Sequence, residues 1–144
     1  MRCASEFRLC GDGLTVGMER LGEPFEFTGD GDGGRRARRA VRERAAKVIT
    51  DGTLLDDVEL MAAEGVANAI LHGTGIIAVT VATDGRHLRV DITDDGPAQD
   101  DPRAAEPRLD HGRGLTVIDA LAAEWSLEQS PRRTRLWFIV DALR

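Results

Sequence analysis

Two polar residues one helical turn apart open the chemical question. Asn68 offers a side-chain amide oxygen, a hard donor of the kind Mg²⁺ accepts beside waters and substrate phosphates. Glu64, one turn earlier, would lie beside the same phosphates, where a carboxylate can take the proton of an attacking hydroxyl or water. Further along, Asp94-Asp95-Gly96-Pro97 ends a β-rich run. Asp94 can accept a hydrogen bond from an exocyclic amine such as that of adenine, and Gly96 lets a flat ring approach the backbone with no Cβ between them. His111-Gly112-Arg113-Gly114-Leu115 then leads into a helical pattern, so the amides of Gly112 and Gly114 offer N–H groups to phosphate oxygens at the helix start.

Taken singly, each motif has a plainer reading. A polar pair at i, i+4 borders many solvated helix faces, and Asp-Gly makes turns. Gly112-x-Gly114 lacks the rest of the dinucleotide fingerprint and its preceding parallel strand, and Arg113 can be a surface cation. The succession of the three in one short chain, with an irregular segment between the last two, is what sets them apart.

Local patterns supply elements to position them. A helix from just after Thr53 to about His72, ended by Gly73, places Leu55, Val58, Met61, Ala62, Gly65, Val66 and Ala69 in one apolar stripe, with Glu64 and Asn68 side by side on its flank. Ile76 to Thr83 and His87 to Thr93 read as a hairpin around Asp84-Gly85-Arg86, and strand alternation puts Leu88, Val90, Ile92 and Asp94 on one face. Residues 96 to 111 form a long loop with three prolines. A helix from about Gly114 to Glu124 follows, with Leu115, Ile118, Leu121, Ala122 and Trp125 inward, and a closing hairpin pairs Trp125 to Gln129 with Thr134 to Val140. Upstream, Glu6 to Cys10 and Leu14 to Glu19 suit a hairpin about Gly11-Asp12-Gly13, Phe25 to Thr28 a short strand, residues 29 to 34 a glycine-rich connector, and Arg35 to Thr50 a helix.

Composition narrows the classes. The chain of 144 residues suits one domain with one core. A net charge of -6, from 19 basic and 25 acidic side chains, argues against a surface built to neutralise nucleic-acid phosphate, and 4% aromatic content without tyrosine leaves little for base stacking. No apolar run approaches the ~20 residues of a membrane span, and no signal-like segment opens the sequence, so a cytoplasmic protein with no membrane or direct nucleic-acid role is expected. Cys3 and Cys10 lack zinc spacing, and His72, His87 and His111 fall in separate elements. The arginines from Arg35 to Arg44 form a basic helix face, read as solvated, with an acidic partner as the other use. No serine has a Gly-x-Ser-x-Gly context.

In this order the motifs resemble the GHKL ATPase superfamily, and within it the bacterial anti-sigma factor kinases that phosphorylate a serine of STAS-domain antagonists. The resemblance covers roughly Pro24 to Asp141. It implies that Asn68 of the N box holds Mg²⁺, that Glu64 is the catalytic base, and that Asp94 binds the adenine amine with Gly96 under the ring. It also implies phosphate contacts from Gly112, Arg113, Gly114 and Leu115, and a nucleotide-side role for Thr134. The sequence departs from the pattern at Ala98, where a second glycine is usual, and at Arg133, where a glycine often precedes the threonine. The implied fold is a two-layer α/β sandwich of Bergerat type, with a mixed, mainly antiparallel sheet and helices on one face. Residues 1–23 then form an N-terminal extension with a possible hairpin, and 24–144 an ATP-binding kinase domain.

The expected function is an ATP- and Mg²⁺-dependent protein serine kinase and anti-sigma-type regulator, with a sigma factor or a STAS-domain antagonist as partner and a homodimer as a possible assembly. One alternative keeps the nucleotide and drops the transfer, giving a switching module that responds to ATP or ADP. Another is a binding domain without nucleotide.

Overall fold

The computed structural model describes residues 17–97 and 115–143. Six strands form one sheet: β1 (Glu19–Arg20), β2 (Phe25–Phe27), β3 (Ile77–Thr83), β4 (His87–Asp94), β5 (Glu124–Ser130) and β6 (Arg133–Asp141). Their order is β1-β3-β4-β6-β5, with β2 beside β1 on the same edge of β3, and every described ladder is antiparallel. Helices α1 (Gly33–Ala45), α2 (Gly52–His72) and α3 (Leu115–Leu121) pack on one face. This is the α/β sandwich expected, with the antiparallel component accounting for all of the described sheet.

Alternation builds the face beneath the helices. Register aligns Val81, Val90, Phe138 and Trp125 in one row and Val79, Ile92, Leu136 and Leu127 in the next. All but the half-buried Leu127 are nearly inaccessible to solvent. The row beyond them is polar: Asp94, Thr134 and Gln129 stand side by side across β4, β6 and β5. α2 lies close on these rows because Gly65 has no side chain, and a Cβ there would fall 2.5 Å from Ile92 Cδ1 and 3.0 Å from Leu136 Cδ2. Its N-terminus is capped by Asp51, whose carboxylate accepts the Thr53 N–H at 2.9 Å.

The opposite face carries a buried ion pair. Arg89 Nε donates to Asp91 Oδ1, its guanidinium carbon lies 4.6 Å from the centre of the Trp137 ring, and all three residues are buried. Burial holds the Asp91 carboxyl above the ordinary carboxylate range, while Arg89 pulls it down.

Three boundaries differ from the sequence expectation. α1 begins at Gly33, where a Cβ would fall 2.6 Å from the Phe27 ring, and ends at Ala45 instead of Thr50. There the chain tightens into i, i+3 bonds, Lys47 N to Arg44 O and Val48 N to Ala45 O. α3 stops at Leu121, short of Glu124, because Ala123 N donates to Ile139 O at 2.8 Å and Glu124 joins the sheet, so tertiary pairing overrides helix propensity. β1 and β2 are two parts of one edge, and their register on β3 shifts by two residues across Leu21–Pro24. The sheet therefore reaches back across residue 24. The expected hairpin strand Glu6 to Cys10, its turn, and the first half of Leu14 to Glu19 lie outside the described residues.

Candidate functional site

α2 carries Asn68 on its buried side, 5% exposed, in a helix whose other buried positions are almost all apolar or glycine. Among the described residues its Oδ1 has no hydrogen-bond partner. A buried amide oxygen without a partner costs on the order of 1–3 kcal/mol, and a hard cation or its water would relieve that cost. The atom therefore fits the Mg²⁺ role implied for Asn68. Among the described residues no three His, Cys, Asp or Glu side chains gather as metal ligands, so phosphate oxygens and water would complete such a site. Glu64, one turn earlier, is half-buried, accessible enough to meet a substrate hydroxyl.

Asp94 ends β4 with its carboxylate buried. Its Oδ1 accepts the Gly96 N–H at 2.7 Å, and Thr134 is its cross-strand partner, also buried. Asp94 and Thr134 therefore face the helix layer side by side. The C-terminus of α2 closes on this carboxylate at Gly73, where a Cβ would meet Asp94 Oδ2 at 2.4 Å. Gly73 does end the helix, as its sequence position suggested, but in an extended conformation (φ -95°, ψ 178°). What that position needs from glycine is room beside Asp94, not a left-handed backbone.

A clasp follows that the sequence did not reveal. Asp95 N donates to Thr74 O at 3.0 Å, Thr74 Oγ1 donates to Gly96 O at 2.9 Å, and Gly73 pairs with Pro97 as an isolated bridge. The end of the helix bearing Glu64 and Asn68 is thus tied to the loop bearing Asp94 and Gly96. Only the adjacency of Thr74 to the His72-Gly73 helix end could have pointed to it.

Gly96 was expected to leave space for a ring. Its backbone is left-handed, φ +97°, and the space its missing Cβ leaves is taken by the β5–β6 turn, with Pro131 O 2.6 Å and Arg133 N 3.0 Å from a Cβ position. Leu115 opens α3 with its side chain in the hydrophobic core. Gly112, Arg113 and Gly114, together with Ala98 and His111, lie outside the described residues. His72 is buried at the end of α2, and His87 bonds Asp84 through Nδ1 at 3.1 Å. Among the described residues, then, the structure brings Asp94, Gly96 and Thr134 together with the α2 terminus, and places Glu64 and Asn68 on that same helix.

Among solved structures, the chain carrying the RsbU and RsbW domains of Rv1364c from Mycobacterium tuberculosis superposes with a TM-score of 0.59 at 21% identity over 83% of this chain. This chain spans 32% of that one, about a third of its length, and the likeness concerns the fold. The histidine kinase AdeS of Acinetobacter baumannii aligns over 88% of this chain and 70% of its own at 18% identity, with a TM-score of 0.49, which carries no weight here. No curated protein matches the sequence significantly. Residues 30–140, most of the chain, match the histidine kinase-like ATPase domain family, and the chain belongs to it.

Proposed function

We propose that this ATPase-family domain is an ATP- and Mg²⁺-dependent protein serine kinase of anti-sigma type, which phosphorylates a serine of a STAS-domain antagonist and also binds a sigma factor. The observation that carries the reading is the buried Oδ1 of Asn68, without a partner among the described residues, one turn after a half-buried Glu64 on a helix clasped to the Asp94 loop. The RsbW domain in a neighbour of the same fold supports the anti-sigma branch. No described helix is long and apolar enough to cross a membrane, and we place the protein in the cytoplasm.

In this reading Asp94, held by the Gly96 N–H, receives the adenine amine, with Thr134 beside it. Gly112, Arg113 and Gly114 bind the phosphates through their N–H groups. Asn68 Oδ1 would hold Mg²⁺, which would supply charge neutralisation at the phosphate oxygens. Glu64 accepts the proton of the substrate serine as its oxygen attacks the γ-phosphorus, and the bond from that phosphorus to the ADP oxygen breaks.

Incubation with labelled ATP and candidate STAS-domain proteins tests the transfer, and no label on any partner at high enzyme concentration would overturn it. Glu64→Gln should keep nucleotide binding and lower transfer by roughly 10²- to 10⁴-fold, the usual contribution of a general base. Asn68→Ala should remove the Mg²⁺-dependent part of binding measured by calorimetry. Equal loss of ATP affinity in both variants would contradict these roles. Ala98, in place of a loop glycine, favours a second reading in which the domain binds ATP or ADP and switches partners without transfer. Tight nucleotide binding with no label transfer is its signature.

A further inference from the structure

α2 is apolar on two sides. The inner seam, Leu54, Val58, Met61, Ala62, Val66 and Ala69, is buried in the core. The outer side repeats the pattern with Leu60, Ala63, Ala67, Ile70 and Leu71, at i, i+3, i+7, i+10 and i+11, the spacing of a helix seam. Leu60 is 47%, Ile70 38% and Leu71 70% exposed, and over these three turns the outer side presents no charged side chain between Leu60 and Leu71 except Glu64 at its margin. A helix that is apolar all round is ordinarily covered all round.

α1 runs beside this seam and is strongly basic, with six arginines against one glutamate in a chain of net charge -6. A depression of about 230 Å³ between the two helices is lined by Arg35 and Arg38 on one side and Ala63, Ala67 and Ile70 on the other, and a second one adjoins it, lined by Arg38, Leu60 and Ala63 with the carboxylates of Asp56 and Glu59. Arg38 and Arg42 are paired with Glu59 and Asp56 of α2, whereas Arg35, which lines the first depression, and Arg39, one turn further along α1 and outside both linings, meet no carboxylate among the described residues. The groove therefore has an apolar floor and a wall with uncompensated positive charge.

We propose that the α1–α2 groove is the docking site for an amphipathic helix of a partner protein, whose apolar face covers Leu60, Ala67 and Ile70 and whose acidic flank faces Arg35 and Arg39. The charge of the wall selects the acidic partner, and the heptad-like seam selects a helix. The proposal shares with the proposed function only the existence of a protein partner. Its test uses no nucleotide, so a failed kinase assay and a failed docking assay are separate results.

The probe is a labelled synthetic helical peptide with leucines at i, i+3, i+7 and i+10 and glutamates along one flank, titrated against the whole chain by fluorescence anisotropy, with a lysine-flanked twin as control. The glutamate peptide should bind, more weakly as salt rises, and the lysine peptide should not. Arg35→Glu combined with Arg39→Glu should weaken the glutamate peptide by roughly tenfold or more and admit the lysine peptide. Ala67→Glu should abolish binding of the glutamate peptide, while circular dichroism stays that of the parent because the site is exposed. No binding of the glutamate peptide, equal binding of the two peptides, or indifference to Ala67→Glu would overturn the proposal. So would a concentration-dependent dimer dissolved by Ala67→Glu, which assigns the groove to a second copy, or arginine-dependent binding of phosphatidylserine vesicles in place of the peptide, which assigns it to a lipid surface.

Discussion

Gly96 holds its loop by a left-handed backbone pressed against the Pro131–Arg133 turn, and its N–H fixes one oxygen of Asp94. Gly96→Ala combines an unfavourable φ with a Cβ 2.6 Å from a backbone oxygen that has no flexible side chain to yield. A loss of about 1–3 kcal/mol of stability is expected, read as a lower urea midpoint, together with weaker ATP binding because the displaced loop carries the residue 96 N–H away from Asp94. Thr74 acts on the same loop from the other side. Thr74→Val should raise the KM for ATP several-fold with little change in kcat, and Thr74→Ser, which keeps the hydroxyl, should restore it; an unchanged KM in the valine variant would show that the clasp does not position Asp94. That Asp94 continues the buried face of Leu88, Val90 and Ile92 was legible from strand alternation. The reason for Gly96 was not, since the atoms it must avoid come from a turn more than thirty residues later.

Among the elements, α2 and the β3–β4 hairpin were the most legible, since both carry strong periodicity and Gly73 and Asp84-Gly85-Arg86 mark where they end or turn, although α2 begins at Gly52, ahead of the expected start after Thr53. The end of α3 was hidden, because Ala122 to Glu124 suit a helix locally and only the carbonyl of Ile139 recruits them to the sheet. Alternation also casts Arg89 and Asp91 as solvent-facing, whereas the structure buries them against Trp137. Removing the cation from that pair by Arg89→Met should cost about 3–5 kcal/mol near neutral pH. Burial already lifts the Asp91 carboxyl, and loss of Arg89 lifts it further. Proton uptake then favours the folded variant at acidity below the unfolded carboxylate value of about 3.9, and this support is lost as pH rises through the higher folded value. The deficit relative to the parent should therefore widen from pH 4 to pH 7 in urea titrations; a deficit constant across that range would contradict the burial effect.

For the whole molecule, a ligand that binds only the folded state must stabilise it. ATP with Mg²⁺ at one hundred times its dissociation constant should add about 2.7 kcal/mol. At roughly 3 °C per kcal/mol for a chain of this size, Tm should rise by about 8 °C. Asn68→Ala should forfeit the Mg²⁺-dependent share, and absence of any shift with saturating nucleotide would remove ATP from the account. The sandwich itself was predictable because element order and the alternating apolar faces allow few other ways of closing one core. The edge of the sheet was less so. β1 and β2 each offer three residues or fewer before the step at Leu21–Pro24, where Gly22 and Pro24 interrupt the ladder. A long straight edge invites strands from other molecules to add to it, and a short, kinked one bearing proline does not. Among the described residues, the break therefore leaves this edge little for a growing fibril to add to, a protection that β5, the unbroken seven-residue strand at the other edge, does not share.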